Sequence, residues 1–186
     1  MPNNPLKDPN TVAHLCHSNV ADVEKVLSHI FDALGEQNMQ KYYVQVAALA
    51  TAGVESHFKC VEEAWYLSET ARNKYFDKSK YGKVDATTHQ RYFGRGIIQL
   101  TWRQHYVDYG NALGIDLLHK PDLALEPTNA ARILALYFKW SKTDVAAMAM
   151  DWRKTRKLVN GGYNGIEIYM QYVNNLLQAL KDAKCI

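Results

Sequence analysis

Residues 39–58 read MQKYYVQVAALATAGVESHF, and the interior of this stretch, residues 44–54 (VQVAALATAGV), is almost wholly small or apolar. A run with no polar face predicts a helix buried around most of its circumference, and small side chains let neighbouring helices approach it closely. This is the expected central helix. The segments around it carry the amphipathic patterns that such a core requires. Residues 19–34 place Val20, Val23, Val26, Leu27, Ile30, Phe31 and Leu34 at spacings of three and four, with Gly35 as the stop. Helical signals recur over residues 103–113, ended by Gly114, and over 129–140, where Ala131, Ile133, Leu134, Leu136, Tyr137 and Trp140 form a wide apolar face. A segment over 145–158 leads into the turn signal NGGYNG (160–165). A long amphipathic helix over 166–183 then buries Tyr169, Met170, Val173, Leu176, Leu177 and Leu180.

Residues 77–90 are polar and irregular, and residues 91–102 (RYFGRGIIQLTW) mix glycines with alternating and β-branched residues, which predicts a short hairpin or an extended loop packed on helices. The expected fold class is therefore mainly α with a small β-hairpin element, built as a single domain over residues 1–186 with an N-terminal arm over 1–18. The length agrees, since a compact chain of 186 residues has a radius of gyration of roughly 16 Å. With 47% apolar and 22% charged residues, the composition excludes disorder and fibrous repeats.

The charge balance is modest: 22 Lys+Arg against 19 Asp+Glu leaves +3, which argues against a dedicated nucleic-acid binder. The start, MPNNPLKDPN, has neither the basic nor the apolar part of a secretory signal, and the uncharged run 42–54, which no other exceeds, is too short to span a bilayer. Synthesis in a cytoplasm, no membrane insertion and a monomeric chain are expected. Cys16, Cys60 and Cys185 show no metal spacing and are read as reduced thiols. The seven histidines lack paired spacing, so neither a metal nor a cofactor is expected.

Glu55 ends the apolar helix. A carboxylate beside apolar neighbours at a helix C-terminus is disfavoured in its charged form, which suits a general acid; the plainer reading is a glutamate ending the helix in water. Glu62, Glu63 and Glu69 follow, and any of them can supply the second carboxylate that glycosidic-bond hydrolysis requires, although a solvated pair is the simpler reading. Trp65 and Tyr66 beside them are rings on which sugars stack. In 91–102, Gly94 and Gly96 permit close backbone approach, while Gln99 and Thr101 alternate onto one face of an extended strand, where Gln99 bonds a sugar and Thr101 holds a water. Tyr92 is a further substrate-binding candidate in this segment. Asn160 is an acetamide-binding candidate if its turn borders the cleft. Arg153, Lys154, Arg156 and Lys157 read as a solvated helix face that a polyanionic substrate would use.

Taken in order, VESHF (54–58), EEAWYLS (62–68), the long run 92–127 from YFGRGIIQLTW to LALEP, NAARILALYF (129–138) and KLVNGGYNGIEIYMQYVNNLL (157–177) resemble glycoside hydrolase family 19, the chitinase-like enzymes, and above all their phage and bacterial cell-wall-lysing endolysins. The resemblance covers about residues 40–180. It implies a lysozyme-like, two-lobed helical fold with a cleft, Glu55 as general acid, Glu63 as general base with Glu62 or Glu69 as alternatives, and Thr101 as the residue that orients the attacking water. Gln99 and Asn160 match substrate-contacting positions, and Trp65 and Tyr92 join them as candidates. Val54 stands where the family usually has His, and a single His57 replaces two glycines, shortening the loop by one residue. The implied chemistry is inverting hydrolysis of peptidoglycan glycan strands, in the periplasmic cell wall after release from the cytoplasm. Chitin hydrolysis, lytic transglycosylation and an inactive glycan-binding or structural phage domain are the alternatives.

Overall fold

The computed structural model describes residues 4–186. Nine α-helices occur among the described residues: α1 Pro9–Leu15, α2 Val20–Glu36, α3 Tyr42–Ser56, α4 Glu69–Lys78, α5 Arg103–Leu113, α6 Pro127–Ser141, α7 Thr143–Met148, α8 Trp152–Asn160 and α9 Ile166–Asp182. Helix α3 is the central helix, with every residue from Val44 to Gly53 buried. It packs on α9, while α2 packs along α6. These four helices, with α1, enclose the main core, in which Leu34, Leu49, Phe138, Tyr169 and Leu176 are buried. A second apolar cluster lies under α5 around Tyr92, Tyr106 and Leu117, and a third, smaller one joins Ala64, Phe76 and Phe93.

Local chemistry sets most boundaries. The Asn19 side chain accepts the Ala21 N–H and starts α2, and the Asp151 carboxylate accepts from Lys154 N–H and starts α8. Gly114 caps α5 in the left-handed conformation, as expected. Gly35, read as a stop, instead lies within α2, which runs on to Glu36 and turns at Asn38 with φ +59°. The segment over 145–158 is divided: α7 ends at Met148, and Asp151 begins a new helix.

No strand forms among the described residues. The expected hairpin is reduced to two isolated antiparallel bridges, Glu62 with Arg95 and Arg95 with Leu100. The reason is backbone conformation. Gln99 and Trp102 have φ +55° and +78°, so residues 95–100 close as a tight loop through Arg95 N–H to Leu100 O and Leu100 N–H to Arg95 O, at 3.1 and 2.9 Å. No described helix is long and apolar enough to cross a membrane.

Cys16, Cys60 and Cys185 form no disulfide. Burial raises the Cys16 thiol from 9.0 to about 12. The folded chain keeps this proton where the unfolded chain has released it, so its contribution to stability is complete below pH 9.0 and is lost as pH rises towards about 12. Urea midpoints measured at about pH 8 and about pH 10.5 are therefore expected to fall more for the wild type than for Cys16→Ala. Equal slopes would remove Cys16 from the alkaline transition.

Candidate active site

The end of α3 carries the first carboxylate. His57 adopts the left-handed conformation after Ser56, so the chain turns away and leaves Glu55, one residue earlier, at the wall of a cleft. The cleft encloses about 340 Å³ and is lined by Glu55, Ser56, His57, Glu62, Glu63, Trp65, Tyr66 and Gln99, among others. Glu55 does not end in water, nor does it face only apolar neighbours. Its Oε1 accepts from Nη1 of Arg156, a guanidinium on α8 whose side chain is 3% exposed. The same guanidinium donates through Nε and Nη2 to the Asn164 carbonyl at 2.8 and 2.5 Å. One buried cation thus joins the end of α3, α8 and the loop before α9.

Glu63 reaches the cleft by a different device. Its backbone N–H donates to Gly94 O at 2.7 Å, and Gly96 N–H donates to Val61 O at 3.1 Å, so residues 61–63 pair with 94–96. The Glu63 carboxylate then accepts from three neutral donors: Tyr75 Oη at 2.9 Å and Tyr81 Oη at 2.6 Å on Oε1, and Gly94 N–H at 3.1 Å on Oε2. Burial and the neighbouring Glu63 carboxylate push the Tyr81 hydroxyl above its usual range, and the hydrogen bond to Glu63 does the same for Tyr75, so both stay protonated as donors. Gly94 has no room for a side chain, since a Cβ there would lie 2.8 Å from Gln99 Oε1 and 3.3 Å from Glu63 Oε2.

Glu62 lines the cleft, but Arg72 and Arg95 hold its carboxylate in ion pairs. Glu69 is exposed in the first turn of α4. Trp65 stands 53% exposed, edge-on to Tyr66 and under the Lys59 ammonium at 5.1 Å from its ring centre. The expectation of Gln99 and Thr101 side by side on a strand is corrected by the loop geometry. Gln99 Nε2 donates to Val61 O and Gly96 O at 3.0 and 2.9 Å, so its amide fastens the two segments together. The Thr101 hydroxyl donates to Gln99 O at 2.7 Å. Tyr92 is not in the cleft: it is 2% exposed within the cluster under α5, and its hydroxyl bonds Thr88 and Leu118 O. Asn160 ends α8 with its Oδ1 buried and unpartnered among the described residues.

The reading of Arg156 as part of a solvated helix face is overturned, since its side chain is 3% exposed, and sequence reasoning missed Tyr75, Tyr81 and Arg95. Arg95 is buried in the glycine segment, donating to Asp122 Oδ1 at 2.9 Å and Tyr106 Oη at 3.1 Å and stacking 3.8 Å over the Phe93 ring. For Arg156 a signal existed: Trp152, Thr155, Arg156 and Val159 share one helical face, and Thr155 and Arg156 are its buried members. No group of three or more His, Cys, Asp or Glu side chains suited to a metal occurs among the described residues.

Comparison with known proteins adds a family. The profile of glycoside hydrolase family 19, chitinase class I, matches residues 34–151. An endochitinase of Arabidopsis thaliana is 32% identical over 97 residues, covering 52% of this chain and 34% of that protein. A second Arabidopsis protein, described as an inactive endochitinase, is 30% identical over 122 residues, covering 64% of this chain and 43% of that protein. The chain thus spans less than half the length of these relatives. Among solved structures, chitinase C of Streptomyces griseus superposes with a TM-score of 0.64 at 21% identity, covering 98% of this chain and 94% of that one, which establishes a shared helical fold.

The two carboxylates differ in what removing a partner costs. Arg156→Met is expected to lower the unfolding free energy by about 3 kcal/mol, because Glu55 and the Asn164 carbonyl lose their donors where little water reaches. Tyr81→Phe, which removes one of three neutral donors from Glu63, is expected to cost about 1 kcal/mol. Urea unfolding of both variants checks the order, and equal losses would deny the guanidinium its larger role.

Proposed function

The chain belongs to glycoside hydrolase family 19, and we propose that it hydrolyses β-1,4-linked N-acetylated amino-sugar strands, with bacterial peptidoglycan as the substrate. The observation that carries this reading is Glu55 and Glu63 on one cleft, brought there by separate elements and held by unlike partners. Glu55, paired with Arg156 in the free chain, takes up a proton from solvent and gives it to the glycosidic oxygen as the anomeric C–O bond breaks, and the carboxylate then returns to its pair. Glu63 takes a proton from the water whose oxygen bonds to that carbon, and exchange with solvent resets both groups. The commitment of Glu62 to Arg72 and Arg95 and the position of Glu69 on exposed α4 support Glu63 as the base. The Thr101 hydroxyl has its hydrogen directed to Gln99 O, so it meets the attacking water as an acceptor. Trp65, exposed at the cleft, offers a face on which a sugar ring stacks. Inversion requires carboxyl groups about 6.5–9.5 Å apart, with a water between them.

Chitin is the second reading, and the likeness to an Arabidopsis endochitinase favours it. The exposed cations of α8 favour the anionic polymer. Action on a cell wall, by a chain made in the cytoplasm and acting as a monomer, belongs to the same proposal.

Purified peptidoglycan and chitin, each digested and read by mass spectrometry, provide the test. Fragments with reducing ends from peptidoglycan are expected. Anhydro ends would assign a transglycosylase, chitin fragments alone would assign a chitinase, and retention on either polymer without product would assign a binding domain. Glu63→Gln is expected to lower kcat by at least about 10²-fold while keeping the fold, because its partners are uncharged. Glu55→Gln is expected to be inactive as well but also less stable, since it leaves the buried Arg156 cation without its counter-charge.

A further inference from the structure

Helix α8 has two faces with opposite fates. Arg156 points inward to Glu55, while Arg153, Lys154 and Lys157 are exposed and enter no ion pair among the described residues. These three line a pocket of about 670 Å³ together with Tyr163 from the following loop. The Arg153 guanidinium lies 5.0 Å from the centre of the Tyr163 ring, which is itself exposed. Asp151, the acidic residue of the lining, is turned to the start of the helix, where its Oδ1 accepts the Lys154 backbone N–H at 3.1 Å. Residues 151–157 (DWRKTRK) carry four cations and one anion, a local balance as large as the +3 of the whole chain. The loop that carries Tyr163 also carries Asn164, whose carbonyl is held by the guanidinium that holds Glu55. The pocket and the Glu55 end of the cleft are therefore two sides of one helix and one loop.

From this juxtaposition we propose that the pocket is a carboxylate-binding annex to the glycan cleft, taking the acidic peptide substituents of a peptidoglycan strand while its sugars lie along Glu55 and Glu63. The proposal rests on the peptidoglycan reading. A neutral homopolymer such as chitin brings no anion to these cations, whereas a peptide-bearing strand brings one at each substituted sugar. Two lysines and an arginine held by a short helix meet a carboxylate as charge-assisted donors, and the Tyr163 ring gives the peptide an apolar wall.

The test is binding by Glu63→Gln, which does not consume the polymer, with and without the added substitutions Arg153→Gln, Lys154→Gln and Lys157→Gln. Three polymers are compared by sedimentation: native sacculi, sacculi whose carboxylates have been converted to neutral amides, and chitin. The added substitutions are expected to raise Kd for native sacculi about tenfold at roughly 0.1 M salt and to leave the other two polymers unchanged, with the difference vanishing near 1 M salt. In the otherwise wild-type chain, the three substitutions are expected to leave hydrolysis of a neutral chitin oligosaccharide unchanged. An equal loss on all three polymers would overturn the annex, as would unchanged binding to native sacculi with a loss confined to anionic phospholipid vesicles. Failure of the substrate reading looks different: the wild type then digests chitin and leaves peptidoglycan intact, while the native-against-amidated comparison still reads the pocket directly.

Discussion

The guanidinium of Arg156 is the tie on which the arrangement of the site depends. A cation that is 3% exposed needs its charge and its donors met, and here Glu55 supplies the counter-charge and, with the Asn164 carbonyl, accepts from Nε, Nη1 and Nη2. These partners lie on α3 and on the loop before α9, and the cation itself on α8. The requirement therefore fixes where the last turn of the central helix sits relative to the C-terminal half of the chain. Helix α3 meets this junction through Glu55, while its length from Val44 to Gly53 is given to close packing. The cleft-facing carboxylate is also the counter-charge of the fold.

The opposite wall is organised by backbone pairing, by neutral donors to Glu63 and by the ion pairs of Arg95. Pairing of residues 61–63 with 94–96 sets the backbone, Gln99 fastens it from the side, and Tyr75 and Tyr81 orient the Glu63 carboxylate. The glycine segment thus acts as a mould for Glu63, with Gly94 leaving space for both Gln99 and the carboxylate and Arg95 anchoring the segment to Asp122 and Tyr106. Two carboxylates on one cleft, one paired with a cation and one with neutral donors, have unlike environments, and the cation stands where Glu55 is left charged once its proton has gone to the glycosidic oxygen.

Much of the fold was legible because burial writes itself into periodicity. The unbroken apolar run of α3 and the three-and-four spacing in α2, α6 and α9 have no other economical reading, and the glycine after α5 marked its end. Helix α4 was not legible, since Phe76 is its single buried residue and its pattern is polar; a serine cap at Ser68 and the delivery of Tyr75 to Glu63 are what it shows instead. The alternation in 97–101 resembles a strand, but alternation does not report φ, and the positive φ at Gln99 turns the segment into a loop. Among Glu62, Glu63 and Glu69 the family resemblance favours Glu63, while composition and spacing alone do not choose, because what separates them is the partners each meets across the fold. Arg156 was hidden beside three neighbouring cations, from which it differs only in helical register.

The central claim is that Glu55 and Glu63 act from opposite sides of a sugar ring with a water between one of them and the anomeric carbon. Proton NMR of the first products from a soluble β-1,4-linked N-acetylated oligosaccharide tests it most directly, because the new reducing end is read before it mutarotates. The α-anomer is expected to appear first and then to equilibrate. A β-anomer appearing first would mean a covalent or substrate-assisted route with retained configuration, and would contradict the two-carboxylate assignment.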